Sequence, residues 1–277
     1  MAWQPKQSNR FYRLVVYTGL FLSGLFRIRV LVSGQQHLPA PDPVAANTRV
    51  PRPGTGAVVV ITHFGYLDFV FAEMVLWRHM KAQLRFLITK AATGHWLAGP
   101  AMHACGHVTV DRKDGGTAFQ DAVAKLRAGE YVAVLPEAGV SRSFTVRRCK
   151  TGAVRMAAEA RVPIIPVSVW GSHRLMSRGH RFSVARAWRA PVRVHIGAPV
   201  SPGPDIDVVE ETGKLRSVLQ DGIDAGIAGF PVVPPPGAWW MPSHLGGGAP
   251  TVAQQERLDE LERKQLASGR SGKSATR

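Results

Sequence analysis

Residues 57–68 of this chain of 277 residues have the sequence AVVVITHFGYLD, which indicates the fold class more directly than any other segment. Its first six residues are apolar or β-branched, a pattern that predicts a short buried strand. His63 and Asp68 follow directly after that strand. Since ligands of open α/β sheets bind outside the carboxyl ends of the strands, both side chains are placed where chemistry is expected.

The spacing of His63 and Asp68 restricts the backbone between them. On a regular helix this spacing turns through about 500° and leaves the side chains roughly 140° apart. They can meet only where the backbone turns, and Gly65 permits such a turn. We therefore expect His63 in a loop and Asp68 in the first turn of a helix, where the carboxylate would orient the imidazole as a base. A polar loop with an N-capping aspartate is the alternative interpretation.

Segments of strand and helix character alternate along the chain. Further strands are predicted over residues 84–89, 107–111, 131–135, 162–169 and 192–196. Helices are predicted over residues 69–79, 94–103, 117–127, 152–160 and 210–225. This alternation predicts an α/β fold with a mostly parallel, mixed sheet flanked by helices. Pro163 and Pro166 place their strand at an edge or a bulge, because central strands tolerate proline poorly.

Three regions are predicted from the distribution of apolar and turn-forming residues. Residues 1–45 form an N-terminal membrane-associating segment and linker, residues 46–230 the α/β domain, and residues 231–277 a wrapping loop, a helix and a disordered basic tail from Ser268. The apolar stretch 14–26 is shorter than the roughly 20 residues that cross a bilayer. Its flanking arginines favour a helix in the membrane interface, with an ordinary buried helix as the alternative.

The composition narrows the function classes. A net charge of +16 attracts nucleic acid, anionic lipid or phosphorylated substrates, but no nucleic-acid-binding motif accompanies it. Cys105 and Cys149 are too few for a disulfide framework, which fits a reducing cytosolic compartment. His103, Cys105 and His107 alternate without a fourth ligand nearby, so we expect no metal site.

Two other strand ends carry residues suited to a phosphorylated substrate. The predicted strand 107–111 leads to Arg112, and a guanidinium group holds phosphate through paired donors. The strand 131–135 leads to Glu137, which could accept a hydrogen bond from a substrate hydroxyl or orient an arginine, and then to Arg142. A surface arginine and a solvated turn carboxylate are the ordinary alternatives for Arg112 and Glu137.

Four such blocks, in this order, resemble the glycerolipid acyltransferase family of the 1-acylglycerol-3-phosphate acyltransferase type. His63 and Asp68 match the family's H-x4-D motif, and residues 106–112 match its Gly-to-Arg motif. Pro136-Glu137 matches the start of P-E-G-T-R-S, although two more residues precede Arg142, and residues 162–167 match V-P-I-x-P-V. The segment PGAWWMP at residues 236–242 is similar to actinobacterial members.

The resemblance implies transfer of a fatty acyl group from acyl-CoA or acyl carrier protein to the free hydroxyl of 1-acylglycerol-3-phosphate, which forms phosphatidic acid. In this family the histidine is the general base and the aspartate orients it, roles that fall on His63 and Asp68. The residues that would engage the phosphorylated acceptor are Lys90, Arg112, Glu137 and Arg142.

The same resemblance implies that no cofactor is bound and that the acyl thioester is a co-substrate. The expected partners are a lysophospholipid acceptor and an anionic membrane surface, with acyl carrier protein as a further possible partner and no nucleic acid. We expect a peripheral or monotopic protein at the cytoplasmic face of the cell membrane. The alternatives are transfer to glycerol-3-phosphate, another lysophospholipid or a glycolipid, and a non-catalytic lipid-binding protein at the membrane surface.

Overall fold

A computed structural model describes residues 8–40, 55–89, 98–110, 115–137, 139–203 and 205–274. In these ranges seven strands form one sheet, in the order β1-β7-β6-β2-β5-β3-β4. Their pairings are parallel except between β6 and β7, which confirms the predicted mostly parallel sheet. The strands are β1 (Arg29–Ser33), β2 (Ala57–Ile61), β3 (Leu84–Thr89), β4 (Val108–Val110), β5 (Tyr131–Val134), β6 (Ile164–Trp170) and β7 (Pro191–Ile196).

The helices of the described residues flank this sheet. They are α1 (Asn9–Leu25), α2 (Asp68–Met80), α3 (Ala98–Ala104), α4 (Gly115–Arg127), α5 (Gly152–Ala160), α6 (Val184–Ala187), α7 (Val208–Ala228) and α8 (Val252–Ser274). Helix α8 extends to Ser274, past Ser268, where the sequence predicts the start of a disordered tail. Extending an existing helix by a residue is much easier than nucleating one, which explains why a weak helical sequence can prolong it.

Strand β2 lies inside the sheet and is completely buried. Val58 and Val60 pack on one face with residues of α4, α5 and α7. Val59 and Ile61 pack on the other face with residues of α2. Helices on both faces explain why β2 is a continuous apolar run and does not alternate with polar residues.

Of the two positions predicted for the proline-containing strand, an edge or a bulge, the structure shows the bulge, because β6 lies between β7 and β2. The regular ladder with β7 runs from Val167 to Trp170, and Ile164 then bridges to Val200. Between these pairings, residues 197–199 lie opposite residues 165–166, which is a bulge of the kind that the sequence allowed. Pro166 falls in this irregular stretch, where its missing N–H breaks no regular ladder.

The N-terminal region contributes directly to the domain. Strand β1, which the sequence analysis did not predict, pairs with β7 along its whole length. Helix α1 contacts α2 through a buried hydrogen bond from the Tyr12 hydroxyl to Glu73, and the Leu84 N–H donates to the same hydroxyl at 2.7 Å. Burial raises the pKa of Glu73 to about 8. None of the described helices combines the length and apolarity needed to cross a membrane.

Three parallel strands bring their carboxyl ends to one edge of the sheet. Strands β6, β2 and β5 are neighbours and run in the same direction. The loops that follow them begin after Trp170, Ile61 and Val134. These loops therefore meet at the edge where the sequence placed His63, Asp68 and Glu137.

Candidate active site

His63 and Asp68 lie side by side after strand β2. His63 is in the loop, and Asp68 is the first residue of α2, as the spacing predicted. The His63 Nδ1 atom is 3.9 Å from Asp68 Oδ2. The His63 side chain is 17% exposed and the Asp68 side chain is fully buried, so solvent or substrate can reach the imidazole but not the carboxyl group behind it.

Two backbone amides and one hydroxyl fix the carboxyl group of Asp68. Its Oδ2 atom accepts hydrogen bonds from the N–H groups of Phe64 at 2.5 Å and Gly65 at 2.8 Å. Its Oδ1 atom accepts a hydrogen bond from the Ser172 hydroxyl. Burial raises the pKa of Asp68 to about 7, and the three donors act in the opposite direction by stabilising the carboxylate.

Burial also controls the protonation of His63. It lowers the pKa of the imidazole to about 4, because the charged form loses hydration. Nδ1 of His63 has no hydrogen-bond partner among the residues that the structure describes. A neutral imidazole at pH 7 can accept a proton, and the neighbouring Asp68 carboxylate can stabilise the imidazolium that results.

Glu137 supports the backbone around His63. Its side chain is buried, and its two carboxyl oxygens accept hydrogen bonds from the N–H groups of His63 at 2.8 Å and Arg147 at 3.1 Å. The carbonyl oxygen of His63 in turn accepts the Ser141 N–H at 2.7 Å. Burial raises the pKa of Glu137 to about 8. The loop after β5 therefore holds the His63 peptide from both sides.

The loop after β6 packs against the loop that carries His63. The Tyr66 N–H donates to the Met176 carbonyl at 3.0 Å. A Cβ atom at Gly65 would lie 2.8 Å from the backbone of His173, so only glycine fits this approach. Ser172 and Asp68 can meet because these two loops touch so closely.

Arg142 lies on the same side and contacts the C-terminal helix. Its guanidinium group pairs with Glu262 of α8. The side-chain oxygen of Gln255, also on α8, accepts the N–H groups of Arg142 and Ser143, both at 2.8 Å, and the Ser141 hydroxyl at 3.2 Å. The backbone of Arg142 therefore follows directly after Ser141, whose N–H holds the His63 carbonyl, and its guanidinium group faces α8.

Two further arginines bind the same face of α8. Asp259 accepts hydrogen bonds from Arg147 at 2.7 Å and from Arg178 at 3.1 Å. Arg178 also pairs with Glu262. Arg142, Arg147 and Arg178 form one surface, called the arginine surface below, and Asp259 and Glu262 cover it.

Not every predicted site residue can be placed. Lys90 and Arg112 lie outside the described residues. The sequence analysis missed Ser172, although it follows strand β6 at the same sheet edge and the strand-end rule would have found it. It also missed Asp259 and Glu262, for which no local pattern gave a signal. The described residues contain no group of three side chains suited to bind a metal ion.

Replacing Gly65 with alanine tests the close contact between the two loops. The added methyl group would force the His173 backbone away and separate Ser172 from Asp68. We expect Gly65→Ala to destabilise the protein by about 1–3 kcal/mol in denaturant unfolding. Gly152→Ala is the matched control, since its Cβ would meet no atom within 4 Å. Equal stability of the two variants would show that the loops are not in tight contact.

Comparisons with known proteins agree with this architecture. A family model described as Acyltransferase matches residues 29–170, about half of the chain. The chain is 26% identical over 180 residues to a 1-acyl-sn-glycerol-3-phosphate acyltransferase of Chlamydomonas reinhardtii, covering 64% of this chain and 49% of that protein. It therefore spans about half the length of this curated relative.

A solved structure has the same fold. It is the 1-acyl-sn-glycerophosphate (LPA) acyltransferase PlsC from Thermotoga maritima, with a TM-score of 0.62 and 20% sequence identity, and the match covers 80% of this chain and 81% of that one. The family model includes β2, His63, Asp68, Glu137 and Arg142. The chain therefore belongs to the acyltransferase family.

Proposed function

We propose that this protein is an O-acyltransferase that moves a fatty acyl group from a thioester to the free hydroxyl of 1-acylglycerol-3-phosphate, forming phosphatidic acid. The observation that supports it best is the partly exposed His63 in front of the buried Asp68, in a chain of this family. A protein that only bound lipid would not need a histidine placed as a proton acceptor in front of a buried carboxyl group.

In the proposed reaction the acceptor hydroxyl attacks the thioester carbonyl directly. His63 removes the hydroxyl proton as the new ester bond forms, and the carbon–sulfur bond then breaks to release the thiolate. The imidazolium of His63 gives its proton to the departing thiolate, which restores the neutral base. Since Nδ1 faces Asp68, Nε2 of His63 is the atom that we assign to this proton transfer.

The other site residues would position His63 and the acceptor. Ser172 and the amides of Phe64 and Gly65 hold Asp68, and Glu137 holds the His63 peptide. We assign the acceptor phosphate to Arg142, together with Arg112 and Lys90. Guanidinium groups bind phosphate through two parallel hydrogen bonds, which would fix the acceptor hydroxyl next to His63.

The acyl donor would be acyl-CoA or acyl carrier protein, and both substrates would be reached at a membrane surface. One face of α1 exposes large apolar side chains: Leu14, Val15, Tyr17, Phe21, Leu22 and Leu25. Phe182, Val184 and Trp188 are also exposed, and they adjoin the end of α1, because Phe26 contacts Phe182 and Arg27 lies over Trp188.

These apolar side chains lie among arginines rather than acidic residues. Arg10, Arg13, Arg27 and Arg29 flank the α1 surface, and a cytoplasmic leaflet that contains anionic lipid attracts such side chains. We therefore propose peripheral binding to the cytoplasmic face of the membrane, with the apolar side chains in the interface.

The decisive experiment incubates the purified protein with labelled acyl-CoA and a panel of hydroxyl acceptors, and identifies the product by mass. We expect 1-acylglycerol-3-phosphate to be converted and His63→Ala to lose at least about a hundredfold in kcat. His244→Ala is the matched control, because His244 is exposed in a distant turn of the sequence. Near-normal turnover of His63→Ala would remove His63 as the base, and consumption of none of the acceptors would contradict the proposed function.

Removing the Ser172 hydroxyl tests how Asp68 is positioned. Ser172→Ala takes away one donor to the carboxylate, so the pKa of Asp68 should rise above its value of about 7. The pH below which kcat/KM falls should then move upward by about one unit. Ser172→Thr keeps a hydroxyl and should restore the original profile. A Ser172→Ala profile identical to that of the unchanged protein would contradict this role.

Membrane binding by α1 can be measured by co-sedimentation with vesicles that contain anionic lipid. Phe21→Ser removes one of the most exposed aromatic side chains of α1, and we expect it to weaken vesicle binding about tenfold. Val209→Ser is the control, because Val209 is 71% exposed on a different helix. If both variants bound vesicles equally well, α1 would not be the membrane-facing surface.

A further inference from the structure

Helix α8 presents three polar side chains to the arginine surface. Gln255, Asp259 and Glu262 are spaced so that they lie on one side of the helix. Gln255 and Asp259 are buried, which is unusual for residues of a helix that otherwise carries exposed polar side chains. This side of α8 is therefore built to meet the loops around His63.

Polar contacts rather than apolar packing hold α8 in place. Its apolar residues Val252, Leu258 and Leu261 are exposed by 54%, 37% and 56%. Among the described side chains, hydrogen bonds to Gln255 and ion pairs of Asp259 and Glu262 attach α8 to the loops. The Glu262 side chain is 36% exposed, so its ion pairs contribute little net stability, and an anion can compete with it for Arg142 and Arg178.

The arginine surface is attached to the loops that position the base. The N–H of Arg147 is bonded to Glu137, which also holds His63. Arg142 follows Ser141, whose N–H is bonded to the His63 carbonyl. An anion bound by Arg142 and Arg147 would therefore contact the loop after β5 that holds the His63 peptide, which suits the phosphate of the acceptor.

We propose that Arg142, Arg147 and Arg178 form the binding site for the acceptor phosphate, and that Asp259 and Glu262 occupy it in the absence of substrate. This inference rests on the proposed function. It adds Arg147 and Arg178 to the phosphate site, and it adds the α8 carboxylates as groups that compete with the phosphate. The phosphate carries more negative charge than either carboxylate and can take paired donors from several guanidinium groups. Binding of the acceptor then releases α8 from the arginine surface, and α8 returns when the product leaves.

Competition by the α8 carboxylates predicts the direction in which the acceptor KM changes when they are neutralised. Neutralising Asp259 or Glu262 weakens the internal competitor, so the acceptor should bind more tightly. If the carboxylates served instead to orient the arginines for the substrate, the same substitutions would weaken acceptor binding. A decrease in the acceptor KM would therefore show that the carboxylates compete with the phosphate. An increase would show that they orient the arginines for it.

The test uses the full chain with Asp259→Asn, Glu262→Gln and the double variant. Glu260→Gln is the matched control, because it removes the same charge from α8 at an exposed position whose ion pair runs along the helix to Lys264 and not to the arginine surface. We expect the acceptor KM to fall about three- to fivefold in the double variant, with kcat close to that of the unchanged protein. Glu260→Gln should leave both constants unchanged.

A second measurement follows α8 directly, without any turnover. Inorganic phosphate is titrated into the unchanged protein, and amide hydrogen exchange is measured over residues 252–265. We expect phosphate to speed exchange in α8, and the double variant to exchange fast without phosphate. Unchanged exchange on adding phosphate, or an acceptor KM that rises or stays constant in the double variant, would overturn the inference.

The two measurements also separate this inference from the proposed function. If no acceptor is acylated but phosphate still loosens α8, the anion site and its internal competitor stand and the proposed reaction is wrong. If acyl transfer proceeds while α8 responds neither to phosphate nor to the substitutions, the proposed function stands and the competitor is rejected.

Discussion

The site depends on the burial of one carboxyl group, that of Asp68. A buried carboxylate without hydrogen bonds is costly, so the fold must deliver donors to both of its oxygens. The Phe64 and Gly65 amides and the Ser172 hydroxyl supply them. This requirement fixes the turn after β2 and brings the loop after β6 against it. The close contact at Gly65 is a direct consequence, and His63 takes its place from the same turn.

Much of this arrangement could be predicted because it is local in the sequence. The apolar run of β2, the turn at Gly65 and the start of α2 at Asp68 all follow from neighbouring residues. Strand β1 could not be predicted in the same way, because its short segment forms a strand only by pairing with β7, far along the chain. Likewise Arg142 and Glu262 are separated by 120 residues, and no spacing rule links them. Pro166 left both an edge and a bulge open, and the choice of the bulge depends on pairing with the distant strand β7.

The uneven distribution of basic residues along the chain corresponds to a cluster of arginines in the folded protein. The strongly basic stretch 141–193 contains only Glu159 as an acid. Three of its arginines, Arg142, Arg147 and Arg178, converge on carboxylates of the C-terminal helix. Arginines placed close together repel one another unless an anion lies between them. The fold supplies carboxylates for this purpose, and the proposed substrate supplies a phosphate.

The segment before α8 explains how the helix could separate from the arginine surface and bind to it again, because this segment stays attached to the domain. Trp240 is buried, and its carbonyl oxygen is 3.0 Å from Nε2 of His173. The Arg174 guanidinium lies 4.4 Å from the ring centre of Trp240, and His180 stacks on Trp239 at 3.7 Å. This packing holds Trp239 and Trp240, in the segment before α8, against the loop that carries Ser172 and Arg178. A helix anchored firmly at one end and attached only by polar contacts beyond it keeps a high effective concentration near the arginine surface. In the proposed competition, the substrate phosphate therefore competes with carboxylates of the same chain. These carboxylates bind the arginine surface again when the product dissociates.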